Sequence, residues 1–354
     1  MTQIHDDIKK DRADLKPDFM AVLMKEAADV RGLPNLYRKF EEIKIQLRFE
    51  ANKKTYYYAD GVLLEAINDR WGKIGRNINH KASTLTGDKF GTKTHLKEFG
   101  FSVPEGRFFR RRHIDRAINA FNSFRKPVCV KPNRGSLGKN VFPSIYTSQW
   151  YEYALHHVAK VKPNILVKEC VTGDHFRFFY ISPQIAGIRQ GIPFHVIGDG
   201  ITTIQDLLET KNAERCKRNL PTHPPFEMDQ QSLDFLAMQN LNTEDIPPIG
   251  QKVFLYGASN GTAGADTILL DKEEVHPSYC AIVEQACKSI PGVYFAGVDI
   301  IIRDRKQPAS QENHWILELN MNPSLTAFYY LWKGYVVDIA GLILDFLAEG
   351  HDFS

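Results

Sequence analysis

Glu318 and Asn320 place two hard oxygen donors two positions apart, within the run from His314 to Pro323. Because side chains alternate between the two faces of a strand, both would point to the same side. The other face would carry Trp315, Leu317, Leu319 and Met321. A carboxylate and an amide on a rigid strand suit Mg²⁺, which takes few protein ligands and binds nucleotide phosphates as well. A half-buried strand with a solvated polar face shows the same alternation, so this stretch alone leaves both interpretations open.

A second carboxylate, Asp299, interrupts the apolar run from Val293 to Ile302. An unpaired carboxylate in an apolar strand is costly, so a cation or hydrogen-bond donors should meet it. If this strand pairs antiparallel with the strand that begins at His314, Asp299 can lie opposite Glu318 and Asn320. The three residues are therefore candidate metal ligands.

Positive charge that could bind phosphate lies upstream of these strands. Lys131 ends an apolar strand, and the glycine-rich segment that follows contains Gly135, Ser136 and Gly138. Backbone amides in such a loop approach phosphate closely, although a hairpin turn explains the same residues. Lys89 begins a predicted helix, where a bound anion would offset its unfavourable interaction with the helix dipole; an exposed lysine without a ligand is the alternative.

Two further segments offer groups for a ligand. Residues 164–181 read as two strands around a turn, and Lys168-Glu169 between apolar residues suggests a hinge that recognises an adenine edge; a surface hairpin is the alternative. The small-residue segment from Gly257 to Gly264 would let a substrate lie against backbone, with Ser259, Asn260 and Thr262 as donors.

Length and composition limit the classes of protein. A chain of 354 residues predicts two or three subdomains, and its net charge of +3 does not require nucleic acid or an anionic membrane as a partner. The arginines from Arg107 to Arg112 raise nucleic-acid binding as an alternative to a solvated face. Five cysteines without a Cys-x-x-Cys pair indicate reduced thiols, and no signal peptide or membrane span is evident, so we expect a soluble cytoplasmic protein.

Several elements that would position these residues are predicted from periodicity and turn residues. A helix is expected over 18–31, a hairpin from the strands at 43–49 and 55–58, and a helical or loop region over 62–70. Thr203 and Asp206 show the spacing of a capping box. The segment from Lys217 to Pro225 is predicted to be a loop, either a plain connector or a lid over the site.

The residues Lys131, Glu169, Asp299, Glu318 and Asn320 occur in an order typical of a known family. In this order the chain resembles the ATP-grasp ligases, most of all the ATP-grasp modules of cyanophycin synthetase and of the bifunctional glutathione-synthesising enzyme. The likeness runs from about Trp71 to the end of the chain. It is carried by Asp88-Lys89, Val130-Lys131-Pro132, Gly173 to Arg177, His195 to Gly200 with Thr203-Ile204, Lys252 to Leu255, Ala296 to Asp299 and Leu317 to Asn320. The additional domains of both relatives are absent, so a freestanding ligase is expected.

The resemblance implies an α/β (α+β) fold of the ATP-grasp type, in which two α+β subdomains clasp ATP. We expect a small mixed α/β subdomain on the substrate side over residues 1–85. An ATP-grasp subdomain with the phosphate loop and the adenine hinge would follow over 86–180, and a C-terminal subdomain with the Mg²⁺ site over 181–354.

The resemblance also implies roles for single residues. The predicted ATP-binding residues are Lys89, Lys131, Gly135, Ser136, Gly138, Lys168, Glu169, Val171 and His175. Asp299, Glu318 and Asn320 would bind two Mg²⁺ ions, for which Mn²⁺ can substitute. Catalysis is assigned to Arg177, Lys131 and Asn260. The predicted substrate-binding residues are Arg177, Arg189, Ser259, Asn260, Gly264 and Ser324.

Several positions depart from the family pattern. Lys168-Glu169 reverses the usual order of the hinge residues, and His175 stands where a carboxylate would contact the ribose. Gly191 replaces an arginine two residues before Pro193, which leaves Arg189 as its substitute, and Tyr256 replaces another arginine. These changes bear on substrate specificity more than on nucleotide binding.

The predicted activity is that of an ADP-forming carboxylate–amine ligase, which joins amino acids or small peptides by a peptide or γ-glutamyl-type bond through an acyl phosphate. A phosphotransferase or carboxylate–thiol ligase on the same fold, or a nucleotide-binding module without turnover, are the alternatives. The expected partners are ATP, Mg²⁺ and small amino-acid or short-peptide substrates, with neither nucleic acid nor membrane. A homodimer is left open.

Overall fold

A computed structural model describes residues 19–37, 45–59, 61–66, 75–135, 140–257 and 264–353. The helices are α1 (Phe19–Val30), α2 (His80–Thr86), α3 (Lys89–Glu98), α4 (Ile114–Asn119), α5 (Ser148–Val161), α6 (Ile204–Arg218), α7 (Gln230–Ala237), α8 (Pro277–Lys288) and α9 (Ile339–Ala348). The first nine strands are β1 (Asn35–Tyr37), β2 (Ile45–Ala51), β3 (Lys54–Ala59), β4 (Val62–Glu65), β5 (Arg76–Asn77), β6 (Gly106–Arg110), β7 (Val128–Pro132), β8 (Phe142–Ile145) and β9 (Asn164–Glu169). The remaining strands are β10 (Asp174–Ile181), β11 (Gln184–Ile192), β12 (His195–Ile197), β13 (Lys252–Phe254), β14 (Asp266–Leu270), β15 (Phe295–Ile302) and β16 (His314–Asn320).

The N-terminal sheet joins β1 to β5 in chain order, and every pair of neighbours is antiparallel. The predicted hairpin is β2–β3, whose turn places Asn52 and Lys53 at φ values of 46° and 60°. The prediction of a helical or loop region over 62–70 is wrong for its first part, because β4 pairs with β3 there; residues 67–70 lie outside the described chain. Helices α1 and α9 cover one face of this sheet and share an apolar core with it.

A second sheet has the order β6-β9-β7-β8. Its inward positions, among them Val128, Val130 and Val167, pack against α5 in one apolar core. Because side chains alternate along a strand, Lys131 on β7 and Lys168 on β9 project from the opposite face. This alternation directs both lysines towards the pocket described below.

The central sheet has the order β14-β11-β10-β15-β16, with antiparallel pairing throughout. One face packs on α8, and part of the other packs on the N-terminal sheet and α9 through Phe179, Leu269 and Phe295. The rest of that second face carries charged residues. Strand β10 lies in the middle of this sheet, and the subdomain boundary predicted at 180/181 falls at its end. That boundary stays a prediction.

A β-bulge interrupts the pairing of β15 with β16. Asp299 lies opposite Glu318, as predicted, but the next residue, Ile300, lies opposite Ile316 and leaves Leu317 as the extra residue. The predicted alternation of β16 is therefore wrong for Trp315 and Leu317, before the bulge ends. It is confirmed from Glu318 to Met321, where Glu318 and Asn320 lie on the side of Asp299. Ile316 is buried in the core at 1% exposure, together with Leu319 and Met321, whereas Trp315 and Leu317 are half-buried.

Strands β12 and β13 form a small two-stranded sheet with α6 and α7 packed nearby. Helix α6 extends to Arg218, so the first two residues of the predicted 217–225 loop are helical. The remaining residues, 219–225, are held against the protein, because the Pro224 carbonyl accepts a hydrogen bond from Arg215 and His223 is buried. These contacts favour the connector over the lid. Within the described residues, no helix is long and apolar enough to span a bilayer.

Candidate active site

Four charged residues lie side by side across four strands of the central sheet. The register places Arg189 opposite Arg177, Arg177 opposite Asp299, and Asp299 opposite Glu318. Cross-strand neighbours share one face of a sheet and lie close enough for their side chains to interact. We call Arg189, Arg177, Asp299 and Glu318 the charged row. It has two cations at one end and two carboxylates at the other.

Asp299 is the most heavily bonded member of the charged row. Arg177 donates to both of its carboxylate oxygens, from Nε at 2.8 Å and from Nη2 at 2.6 Å. His175 Nε2 lies 3.2 Å from Oδ1, and Asn320 Nδ2 donates to Oδ2 at 3.0 Å. Burial opposes ionisation of Asp299, but Arg177 and His175 outweigh it and hold its pKa well below the usual range. Asp299 is thus a carboxylate at neutral pH.

Glu318 lies beside the lysine at the start of α3. Lys89 Nζ is 3.2 Å from Glu318 Oε2 and also donates to the Gly135 carbonyl at 3.0 Å. Burial and the nearby Asp299 act to raise the pKa of Glu318, yet Lys131 and Lys89 outweigh them, so that the pKa lies below its usual value. Both carboxylates of the charged row are therefore ionised.

The position of Lys89 follows from the way α3 begins. Asp88 caps the helix by accepting from the Gly91 amide at 2.8 Å. Asn133, which follows β7 and is 1% exposed, accepts from the Phe90 amide at 2.8 Å and donates to Asp88 Oδ1 at 2.9 Å. One asparagine thus fastens the helix start to the segment that leads into Gly135.

A pocket between β7, β9, α3 and β16 brings the predicted phosphate ligands together. It is lined by Thr86, Lys89, Thr92, Lys93, Leu96, Pro104, Lys131, Leu166, Lys168, Ile316, Leu317 and Glu318. Four of these residues are lysines and one is a carboxylate, so the pocket carries an excess of positive charge. Burial and, next, the neighbouring Lys168 lower the pKa of Lys131 to about 8. A polyanion in this pocket would meet several cations at once.

The two predicted hinge residues have different surroundings. Lys168 lines the pocket, whereas Glu169 Oε1 accepts from the Arg125 amide at 2.9 Å. The side chain of Glu169 thus holds the turn before β7 in place. Val171 is half-buried just beyond β9. His175, predicted at the ribose position, contacts Asp299 and so belongs beside the charged row.

The predicted substrate residues are only partly brought together. Ser259 and Asn260, like Ser136 and Gly138 of the phosphate loop, lie outside the described residues. The Gly264 carbonyl accepts from Arg215 at 2.7 Å. Ser324 Oγ lies 2.7 Å from Thr326 Oγ1, which is a local contact. Arg177 and Arg189 are the two predicted substrate residues that share a surface.

Comparison with known proteins identifies relatives over about three quarters of the chain. The chain is 31% identical over 265 residues to a glutathione biosynthesis bifunctional protein from Clostridium perfringens, covering 73% of this chain and 34% of the relative. It is 27% identical over 271 residues to cyanophycin synthetase from a Synechocystis species, covering 74% and 30%. The chain thus spans about a third of the length of these curated relatives. No family model matches the sequence.

Among solved structures, a bifunctional glutathione synthetase from Pasteurella multocida superimposes with a TM-score of 0.64 at 21% sequence identity, over 94% of this chain and 45% of that one. The chain has the ATP-grasp fold. The predicted fold class and the predicted resemblance to ATP-grasp ligases are therefore confirmed. The lysine-lined pocket lies between the β6–β9 sheet and the central sheet.

An ATP-grasp fold implies ATP and a divalent cation, and the chemistry of the charged row fits such an ion. Asp299 and Glu318 are ionised, and Asn320 uses its amide nitrogen on Asp299, which leaves its carbonyl oxygen as a further hard donor. Arg177 already bonds both oxygens of Asp299, so an ion would share that carboxylate with the guanidinium. The described residues contain no group of three or more His, Cys, Asp or Glu side chains arranged for a metal, which is consistent with a site that also uses an amide and phosphate oxygens.

Sequence reasoning overlooked one charged cluster near this site. Asp266 is 1% exposed on β14 and is bonded by Lys211 and Arg215, four positions apart on α6. A carboxylate inside an apolar strand was the signal that identified Asp299. The run from Ala265 to Leu270 offers the same signal for Asp266.

Proposed function

We propose that this ATP-grasp protein is an ATP-dependent carboxylate–amine ligase that forms an amide between amino acids or small peptides and releases ADP and phosphate. One observation carries the proposal: the lysine-lined pocket opens beside the carboxylates of the charged row. Glu318 lines the pocket and is also a member of the charged row. The pocket thus offers cations for a nucleoside triphosphate, and the neighbouring carboxylates offer hard oxygen donors for a divalent ion. Both adjoin a surface that carries Arg177. Relatives named for glutathione biosynthesis and as cyanophycin synthetase support the same reaction class.

In the first step, a substrate carboxylate oxygen attacks the γ-phosphorus of ATP and the bond to the ADP oxygen breaks, which gives an acyl phosphate. Lys89 and Lys131 would neutralise phosphate charge, and Arg177 would orient the carboxylate and stabilise charge on the transferred group. Asp299 positions Arg177 through its two hydrogen bonds. A divalent cation held by Asp299, Glu318 and Asn320 would supply further charge neutralisation between phosphate oxygens.

In the second step, an uncharged amine attacks the acyl carbon, phosphate leaves, and the amine nitrogen loses a proton. Neither step needs a nucleophile from the protein, so positioning and charge neutralisation account for catalysis. Lys168, Val171 and the backbone around them are proposed to receive the adenine, and Gly135, Ser136 and Gly138 to cover the phosphates. Asn260, with Ser259, Gly264 and Ser324, is proposed for the substrate side.

The finer expectations belong to this proposal. Two Mg²⁺ ions replaceable by Mn²⁺, substrates of the amino-acid or short-peptide class and a cytoplasmic location are proposed together with the activity, while a homodimer stays open. A phosphotransferase, a carboxylate–thiol ligase and a non-catalytic module remain as outcomes of the experiment below.

The test measures ADP release and amide formation, by mass spectrometry of the products, with ATP, Mg²⁺ and pooled amino acids. Glu318→Ala should lower amide formation by at least about a thousandfold, because it removes a proposed metal ligand and the negative charge that faces Lys89 and Lys131. Glu152→Ala on the exposed face of α5 is the matched control and should retain activity. Full activity of the Glu318 variant would overturn the site, and a phosphorylated or thioester product would overturn the reaction class.

A further inference from the structure

Arg189 is a buried cation whose partner is missing from the described residues. Its exposure is 7%, and its Nε is buried without a hydrogen-bond partner. In the described part of the chain, no carboxylate lies within ion-pair distance of its guanidinium. Burying a charge without a partner costs several kcal/mol, so such a group persists where a ligand supplies the opposite charge.

The register fixes where that ligand would lie. Arg189 is the cross-strand neighbour of Arg177, on the side away from Asp299. Its other neighbour, Leu269 on β14, is 4% exposed and belongs to the apolar core. The charged row therefore ends at Arg189. An anion bound there would sit about one strand spacing, roughly 4.8 Å, beyond the position that Arg177 serves.

The electrostatics agree with this geometry. Burial and, next, the positive charge of Arg177 lower the pKa of Arg189 to about 9, while Asp299 offsets this only in part. Arg177 cannot compensate for the buried charge of Arg189, because it is itself positive and already donates two hydrogen bonds to Asp299. Within the charged row, Asp299 provides a carboxylate for Arg177, and no member provides one for Arg189.

We propose that Arg189 binds a second anionic group of the substrate, so that the preferred phosphoryl acceptor is a compact dicarboxylate of the size of aspartate or glutamate. This inference rests on the proposed ligase activity, because it takes the reacting carboxylate to lie at Arg177. Two carboxylates joined by two or three carbons lie roughly 4 to 5 Å apart, which matches the spacing of neighbouring strands. A guanidinium also suits a planar carboxylate through paired hydrogen bonds.

The experiment traps the acyl phosphate with hydroxylamine, so that the natural amine need not be known. Hydroxamate formation is measured with ATP and Mg²⁺ for two matched pairs of acids, glutamate against glutamine and aspartate against asparagine. The α-carboxylate, which both members of each pair carry, is taken as the phosphoryl acceptor, so the members differ only in the second anionic group. We expect kcat/KM to be at least about a hundredfold higher for the dicarboxylate of one pair, since the amide leaves Arg189 unpaired. Arg189→Met should reduce that ratio to within about threefold of one, mainly through KM, and Arg189→Lys should keep part of it.

A binding measurement separates this role from a purely structural one. With a non-hydrolysable ATP analogue present, the preferred dicarboxylate should raise the melting temperature of the native protein and not that of Arg189→Met. Equal use of both members of each pair, or an equal loss for both in Arg189→Met, would overturn the dicarboxylate inference while leaving the ligase intact. Absence of hydroxamate and of ADP release with every acid would instead overturn the proposed function.

Discussion

Arg189 and Arg215 are both buried arginines, but only Arg215 has a carboxylate partner among the described residues. Arg215 is 1% exposed and donates to the Pro224 carbonyl at 2.9 Å, to the Gly264 carbonyl at 2.7 Å and to the Asp266 carboxylate. Arg189, by contrast, has no carboxylate partner among the described residues. The Nε atoms of both arginines are buried without a hydrogen-bond partner, so the carboxylate is what separates them. A buried guanidinium that meets a carboxylate of the protein serves the fold, whereas one without a carboxylate indicates a place for an anionic ligand.

The surroundings of Arg215 complete that contrast. Lys211 donates to Asp266 Oδ2 at 2.6 Å, and the rings of Phe194 and Trp332 lie 4.5 Å and 5.6 Å from the Arg215 guanidinium. Each cation is thus opposed by a carboxylate, carbonyls or an aromatic face. The cluster links α6, β14 and the segment before α9 into one unit.

The largest expected effect is on stability, and it should separate the two arginines. Arg215→Met leaves Asp266 with Lys211 as its main partner and frees two carbonyls, so the free energy of unfolding should fall by about 3 to 5 kcal/mol. Arg189→Met removes an unpaired buried charge and should change it by less than about 1 kcal/mol, or increase it. Urea unfolding of both variants without ligands measures the difference. Equal destabilisation would show that Arg189 has a structural partner after all.

A smaller effect is expected from acid, again through the Arg215 cluster. His223 Nε2 accepts from the Thr267 amide at 3.0 Å, which requires a neutral ring. Burial and, next, Arg215 lower the pKa of His223 to about 4. Its contribution is therefore present above about pH 6.5 and is lost as the pH falls towards 4, by roughly 3 kcal/mol in total.

The measurement for His223 compares urea unfolding at pH 7.5 and pH 4.5 in the native protein and in His223→Gln, whose amide oxygen can accept the same bond. Between these two values, the native protein should lose about 2 kcal/mol more than the variant. A pH dependence that is unchanged by the substitution would show that other groups are responsible.

The smallest expected effect concerns the lysine pocket, where a ligand should compensate for burial. Lys131 has a pKa of about 8 without nucleotide, and a bound polyphosphate favours its charged form. Nucleotide affinity should therefore be constant below pH 8 and weaken by up to about tenfold per pH unit above it. Titration with a fluorescent ATP analogue measures this, and Lys131→Arg, which stays charged, should remove the decline. A decline of equal size in that variant would exclude Lys131 as its cause.

The sequence allowed the carboxylate pair to be predicted because a lone carboxylate in an apolar strand demands a partner, and the next strand in the chain offered one. Local patterns also located α1 and the β2–β3 hairpin. The bulge at Leu317 was not predictable, since it depends on how two strands pair. Nor was the approach of Arg215 to Asp266, residues that are 51 positions apart. The lack of a carboxylate beside Arg189 in the described part of the chain is likewise a property of the folded sheet.

The bulge also decides how the strand with the proposed metal ligands could be moved to another protein. Leu317 shifts the alternation of β16 by one position, so that Ile316 faces the core although it lies two residues before Glu318. Grafting Glu318 and Asn320 onto a regular strand would therefore turn Ile316 to the same face as Glu318, where the nucleotide is proposed to bind. A designer who transfers the two ligands must transfer Leu317 and its irregular pairing with them.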